Sequence, residues 1–291
     1  MKNERKVAAV AQWHGSCRAS CERIGRALGD LVWCGVPFAG GMPELPYIRT
    51  RTGIANDLHR HLINLARVIR ERPADLVARL DEKVFHPDEL AAAQEFCQRR
   101  EEVLSPLFAT KDGPYMYANI KGLGATGDLD WAVAYFISTW MTRGGNAGTK
   151  NEFTAGLSMR FSGGGGGSAV RFRSAIDSIL GWSKVLDRWE FSTLDVFEFL
   201  DKVEDVPTSG LYLDPPWPTL GKNYAHGVED GFHERLAARL RRFESAKIVV
   251  RYGNHPTIVK AYPKTAWTWE KATTRNSGNN DVDEVLLVRR R

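Results

Sequence analysis

Leu31-Val32-Trp33-Cys34-Gly35-Val36-Pro37-Phe38-Ala39-Gly40-Gly41 is the stretch that decides the fold. Its apolar half reads as a buried strand and its glycine half as a turn. A glycine turn at the carboxyl end of a strand is where an α/β sheet receives a nucleotide-like ligand, because the backbone can approach closely and take up φ > 0. Outward from it, Ile54-Ala55-Asn56-Asp57-Leu58 ends a second strand on an acidic residue. Asp57 is suited to hydrogen-bonding two ribose hydroxyls, and equally to capping the helix that follows. That helix carries Leu58, Leu62, Leu65 and Ile69 at helical spacing. Strands are expected near 31–37, 49–55, 189–193, 210–214, 246–252, 266–271 and 284–289. Helices alternate with them, as Leu194, Phe197 and Leu200, and Phe232, Leu236, Leu240 and Phe243, repeat at helical spacing. The expectation is an α/β fold, with a largely parallel sheet and helices on both faces.

Leu211-Tyr212-Leu213-Asp214-Pro215-Pro216-Trp217-Pro218 runs a hydrophobic strand straight into a stiff, aromatic loop. Such a loop suits chemistry on the exocyclic amine of a planar base, a poor nucleophile whose lone pair is conjugated into the ring. A carboxylate (Asp214) and a backbone carbonyl (Pro215) that accept hydrogen bonds from the amine would stabilise the positive charge developing during attack. The prolines, including Pro216, hold the acceptors in place beforehand. Trp217 offers a face for the base to stack on. Taken alone, the tetrapeptide is equally a turn at a strand end.

Between Pro73 and about Ser168 the strand–helix alternation stops. Helical stretches (Asp88 to Leu104, Trp131 to Trp140) and the aromatic run Tyr115-Met116-Tyr117 replace it, so 73–168 reads as an insertion into a catalytic domain formed by 1–72 with 169–291. Trp131, Tyr135 and Ser138 share a helix face with little charge nearby, which favours core for most of the aromatics. Five glycines, Gly163 to Gly167, mark a loop near the end of the insertion. From Arg143 to Arg173, five basic residues (Arg143, Lys150, Arg160, Arg171, Arg173) face the single acid Glu152. A glycine-rich basic loop of that kind could follow phosphates, and equally be a solvated linker.

The 291-residue chain is 43% hydrophobic and carries a net charge of +5 with a pI near 9.0, compatible with nucleic-acid binding without demanding it. No apolar run reaches membrane-spanning length and no signal-peptide core follows the amino terminus, so the expected location is cytoplasmic. Four scattered cysteines do not make a disulfide framework. Cys17, Cys21, Ile24 and Leu28 instead fall on one helix face. His59 and His61 lie two apart, on different faces of a helix, and no metal site is expected.

Taken together and in order, these motifs resemble the Dam-type DNA adenine-N6 methyltransferases. That family carries Lys-Trp-x-Gly-Gly-Lys, Pro-Phe-x-Gly-x-Gly, Asn-Asp-(Ile/Leu), a variable recognition region, an Asp before a Phe, Asp-Pro-Pro-Tyr, and a strand ending Glu-Leu-Leu-Ile. The counterparts are Gln12-Trp13-His14-Gly15-Ser16-Cys17, Pro37-Phe38-Ala39-Gly40-Gly41, Asn56-Asp57-Leu58, Asp195-Val196-Phe197, Asp214-Pro215-Pro216-Trp217 and Glu284-Val285-Leu286-Leu287. Ser16-Cys17 replaces Gly-Lys, Met42 stands at the second glycine of Gly-x-Gly, and Trp217 replaces Tyr.

The resemblance implies a Rossmann-like methyltransferase sheet interrupted by a helical target-recognition insertion. The implied cofactor is S-adenosylmethionine, held by Trp13, Gly15, Pro37, Phe38, Ala39, Gly40, Gly41, Asp57 and Asp195, the last on the cofactor's adenine amine. The implied partner is double-stranded DNA, contacted by Arg143, Lys150, Arg171, Arg173 and Tyr224. Asp195 also suits a helix start, Phe38 a core position, and Tyr224 an exposed loop. RNA adenosine methyltransferases with Asp-Pro-Pro-Trp carry the catalytic motif before the cofactor motif, the reverse of the order here, which favours DNA. An RNA adenosine or cytosine-N4 enzyme, or a catalytically silent DNA-binding homologue, stays open.

Overall fold

The computed structural model describes residues 9–108, 127–142, 146–159, 167–219, 221–275 and 281–290. These divide into two compact units. One, built on a sheet, comprises the described parts of Cys17–Ala39, Glu44–Leu58 and Arg188–Arg291; the other, helical, those of Met1–Ser16, Gly40–Pro43 and His59–Asp187.

The sheet has seven strands: β1 (Asp30–Val36), β2 (Arg49–Asn56), β3 (Trp189–Ser192), β4 (Ser209–Leu213), β5 (Lys247–Gly253), β6 (Trp267–Arg275) and β7 (Asp281–Arg289). Their order is β3-β2-β1-β4-β5-β7-β6. The first five are parallel, and β7 lies antiparallel between β5 and β6. Every residue of β4 and the run Ile248–Tyr252 of β5 are buried, as central strands of a parallel sheet must be. Because side chains alternate across a sheet, Leu211, Leu213, Ile248, Val250, Tyr252, Val285 and Leu287 join one apolar core. The helices α8 (Val196–Asp201), α9 (Phe232–Leu240) and α10 (Pro256–Ala261) complete that core with Phe199, Leu236 and Ile258. Tyr212, Arg251 and Glu284 have the opposite parity and face the other way, where α1 (Cys21–Leu28) packs on β4 and β5.

The helical unit contains α2 (Arg60–Glu71), α3 (Pro73–Asp81), α4 (Pro87–Phe108), α5 (Leu129–Trp140), α6 (Ser168–Asp177) and α7 (Ile179–Leu186). Buried at every residue from Trp131 to Trp140, α5 is the helix the others surround. Asp128 caps it, accepting from the Trp131 amide at 3.1 Å, and Asn64 of α2 clasps the Asp128 backbone with two hydrogen bonds of 2.9 Å. The helical unit is therefore wider than the expected 73–168 insertion. The buried run His61–Ile69 of α2 packs on α5 and α7, which draws the residues on either side of 73–168 into the same core.

Candidate active site

Parallel pairing sets the carboxyl ends of β1 to β5 along one edge of the sheet. Pro37, Phe38 and Ala39 follow β1, Asp57 follows β2, Asp195 lies just beyond β3, and Asp214-Pro215-Pro216-Trp217 follow β4. The strand order reverses direction between β1 and β4, the point at which open α/β sheets bind ligands.

Asn56 ties three of these ends together. Its amide nitrogen donates to the carbonyls of Pro37 (3.1 Å) and Leu194 (2.9 Å), while its oxygen accepts from the Ser192 hydroxyl and the Leu194 amide, both at 2.7 Å. A buried side-chain amide with four partners has used its donors and both lone pairs, so the loops after β1, β2 and β3 share one rigid anchor. The N-cap of the next helix is His59, whose Nδ1 accepts from the Leu62 amide at 3.3 Å. Asp57 is half-buried and directly follows β2. Leu58 lies outside the helix and is 41% exposed, so the apolar stripe expected from it starts at Leu62. Asp195 is exposed and its Oδ1 accepts from the Phe197 amide at 2.8 Å, the helix-start role. Phe38 packs edge-on against Phe232 of α9.

Beyond β4, Asp214 meets a partner from the neighbouring strand. Arg251 of β5 donates from Nη1 to Asp214 Oδ2 at 2.8 Å, and from Nε and Nη2 to Glu284 Oε2 at 2.9 and 2.7 Å. Glu284 also accepts from the hydroxyls of Ser20 and Thr274. Arg251 and Glu284 are buried, whereas the Asp214 side chain keeps 16% of its surface exposed. Burial pulls the Asp214 carboxyl up from its ordinary range, and the guanidinium works against that shift by favouring the ionised form.

The Trp217 ring rests on this ion pair. Its centroid is 5.0 Å from the Arg251 guanidinium carbon, and its Nε1 lies 3.4 Å from Asp214 Oδ1. It is seated against Gly253 of β5, where a Cβ would come within 2.7 Å of the ring. Tyr224 stands close by: burial, then the charge of Asp214, push its phenol above the ordinary value, with Asp57 adding to the effect. A buried acid, Glu44, completes the neighbourhood. Burial, with the Cys17 thiol beside it, holds Glu44 well above the usual carboxylate range. Cys17 donates to Glu44 Oε2 at 3.4 Å, while Glu44 Oε1 and the Tyr212 hydroxyl have no hydrogen-bond partner among the described residues.

The remaining expected cofactor residues belong to the helical unit. Trp13 is clamped there by glycines: a Cβ on Gly40 (φ 45°) or Gly148 (φ 80°) would lie 2.8 or 2.5 Å from its ring. Gly41 packs on the Ala11 carbonyl, and Gly15 is exposed with φ 71°. Met42, which follows Gly40 and Gly41, is buried with φ 61°, the one non-glycine residue with positive φ among those described.

The basic stretch differs from expectation. Arg171 and Arg173 lie on α6 and not on a loop. Arg171 reaches the Thr142 carbonyl and Ser158 hydroxyl at 3.4 Å, and Arg173 pairs with Asp81 at 3.1 Å. Glu152, counted against them, is buried on His59. Lys150 is exposed, and Arg143 lies outside the described residues. His59 and His61 do not diverge, because His59 precedes the helix; their rings are 5.5 Å apart.

No group of three or more His, Cys, Asp or Glu among the described residues could hold a metal ion. No described helix is long and apolar enough to cross a membrane. The chain matches no protein-family model and no curated protein.

Proposed function

We propose that this protein transfers a methyl group from S-adenosylmethionine to the N6 amine of adenine in double-stranded DNA. The observation that carries the proposal is Asp214, part-exposed at the end of β4 beside the strand-order reversal, with its carboxylate oriented by Arg251 and with Trp217 seated on Gly253. When bound, S-adenosylmethionine supplies an electrophilic methyl group on its sulfonium.

The residues present fit that cofactor. Asn56 fixes the three loops from which Pro37 to Ala39, Asp57 and Asp195 would hold it, and the Asp57 carboxylate suits two ribose hydroxyls. Asp195 spends one oxygen as a helix cap while remaining exposed enough to accept from an amine. On the acceptor side, Asp214 and the Pro215 carbonyl accept the amine hydrogens and stabilise the charge that builds on nitrogen. Trp217 stacks on a base taken out of the duplex, and Tyr224 borders the same space. Lys150, exposed, is left to contact the phosphates.

The test incubates the purified protein with methyl-labelled S-adenosylmethionine and, separately, duplex DNA, structured RNA and duplex DNA lacking adenine. Label in N6-methyladenine from the first substrate alone supports the proposal. Label confined to RNA or to cytosine moves the acceptor, and no label in any of them refutes it.

A further inference from the structure

We propose that Glu284 is a positioning residue for this transfer: it offsets the charge of Arg251, so that Asp214 presents a net negative face to the acceptor amine. The inference rests on the role given to Asp214 above and extends it to a residue that does not touch the substrate.

The amine becomes positive as it attacks, so the group that accepts its hydrogens must supply negative potential. A carboxylate joined to a guanidinium at 2.8 Å supplies little, because the two charges nearly cancel at the distance of a third group. Arg251 alone would therefore fix the Asp214 side chain at the expense of the chemistry. Glu284 resolves the conflict. One of its oxygens takes both Nε and Nη2 of Arg251, which leaves Nη1 aimed at Asp214 Oδ2. Two carboxylates against one guanidinium leave the trio with one net negative charge. Asp214 is its member nearest solvent, with 16% of its side chain exposed against 8% for Arg251 and 2% for Glu284.

The alternation continues outward. Arg23 Nη1 lies 3.8 Å from Glu284 Oε1, and Glu270 lies 4.0 Å from Arg23. Those two are partly exposed and screened by water, so their weight at Asp214 is smaller. The hydroxyls of Ser20 and Thr274 hold Glu284 in place whether or not it is charged, which separates its geometry from its charge.

That separation makes the proposal testable with Glu284→Gln, which keeps the shape and the acceptor oxygen and removes the charge. The expected result is a fall in kcat of about tenfold or more, with KM for S-adenosylmethionine and for duplex DNA within about twofold of wild type. The double variant Arg251→Gln/Glu284→Gln removes one charge of each sign and is expected to turn over faster than the single variant. A single variant with unchanged kcat, or a double variant no faster than the single, would overturn the proposal and leave Glu284 a purely structural link between β5 and β7. Should Glu284→Gln fail to fold, the double variant is compared with wild type directly: kcat within about tenfold supports charge offset, and a larger loss overturns it. Wild-type transfer keeps the two readings distinguishable. Its absence refutes the methyltransferase reading itself, whereas wild-type turnover with indifferent variants refutes the role of Glu284 alone.

Discussion

At the residue scale, Trp217 is held by three features of its surroundings: the absent Cβ of Gly253, the Arg251 guanidinium under the ring, and the turn closed by the Gly221 amide on the Trp217 carbonyl at 2.7 Å. Gly253→Ala places a methyl 2.7 Å from the ring. Overpacking of this kind costs about 1–3 kcal/mol, so the variant should lose methyl transfer while binding S-adenosylmethionine normally. Unchanged turnover would mean that the ring position is immaterial. Trp217→Ala should weaken base binding by about 1–3 kcal/mol, with Trp217→Tyr keeping most of the activity; equal losses in both would remove the stacking role. Asp214 and Trp217 were legible in the sequence because Asp-Pro-Pro-Trp is contiguous. Arg251 was not, since it reaches the site through strand pairing 37 residues away. The signal available was an arginine inside the apolar run Ile248-Val249-Val250-Arg251-Tyr252, where a buried charge demands partners.

At the scale of elements, the seven expected strands lie within a few residues of those observed, and the buried central strands β4 and β5 read most plainly, as near-continuous apolar runs. The loops were less legible. Asn56 stood out only as a motif letter, while its four hydrogen bonds depend on the ends of β1 and β3. Asn56→Ala leaves buried backbone groups without partners, at a cost of about 1–3 kcal/mol each. It should weaken S-adenosylmethionine binding in calorimetry; unchanged affinity would reduce Asn56 to a core residue.

The helical unit carries its own pH sensitivity. Trp131 Nε1 donates to His61 Nδ1 at 2.6 Å, which places the His61 proton on Nε2, 3.1 Å from Glu101. Burial lowers the His61 pKa from 6.5, so below that value the unfolded chain takes up a proton that the folded one resists. The His61 contact holds Glu101 down to about 2, a stabilisation present above its ordinary value of 4.5 and lost as pH falls through about 2. Both effects have the same sign. Thermal stability of the helical unit should decline from about pH 6.5 downward, and a flat profile to pH 4 would contradict the lowered His61 pKa.

At the scale of the whole molecule, the net charge of +5 was readable at once, but its distribution was not. Spacing suggested a free basic loop, whereas α6 directs Arg171 and Arg173 into contacts with the helical unit itself. Lys150→Ala should therefore reduce the slope of log affinity for duplex DNA against log salt by about one unit. Arg171→Ala should act first on stability, and a reversed pattern would return the phosphate contacts to α6. In the proposed function, Asp214 acts on the acceptor amine and does not hold the donor. The most direct test is the single-turnover transfer of labelled methyl to duplex DNA at saturating S-adenosylmethionine, comparing wild type with Asp214→Ala. Wild type should yield N6-methyladenine and the variant at least about a hundredfold less, with donor affinity in calorimetry unchanged. Transfer by Asp214→Ala at near the wild-type rate would contradict that role.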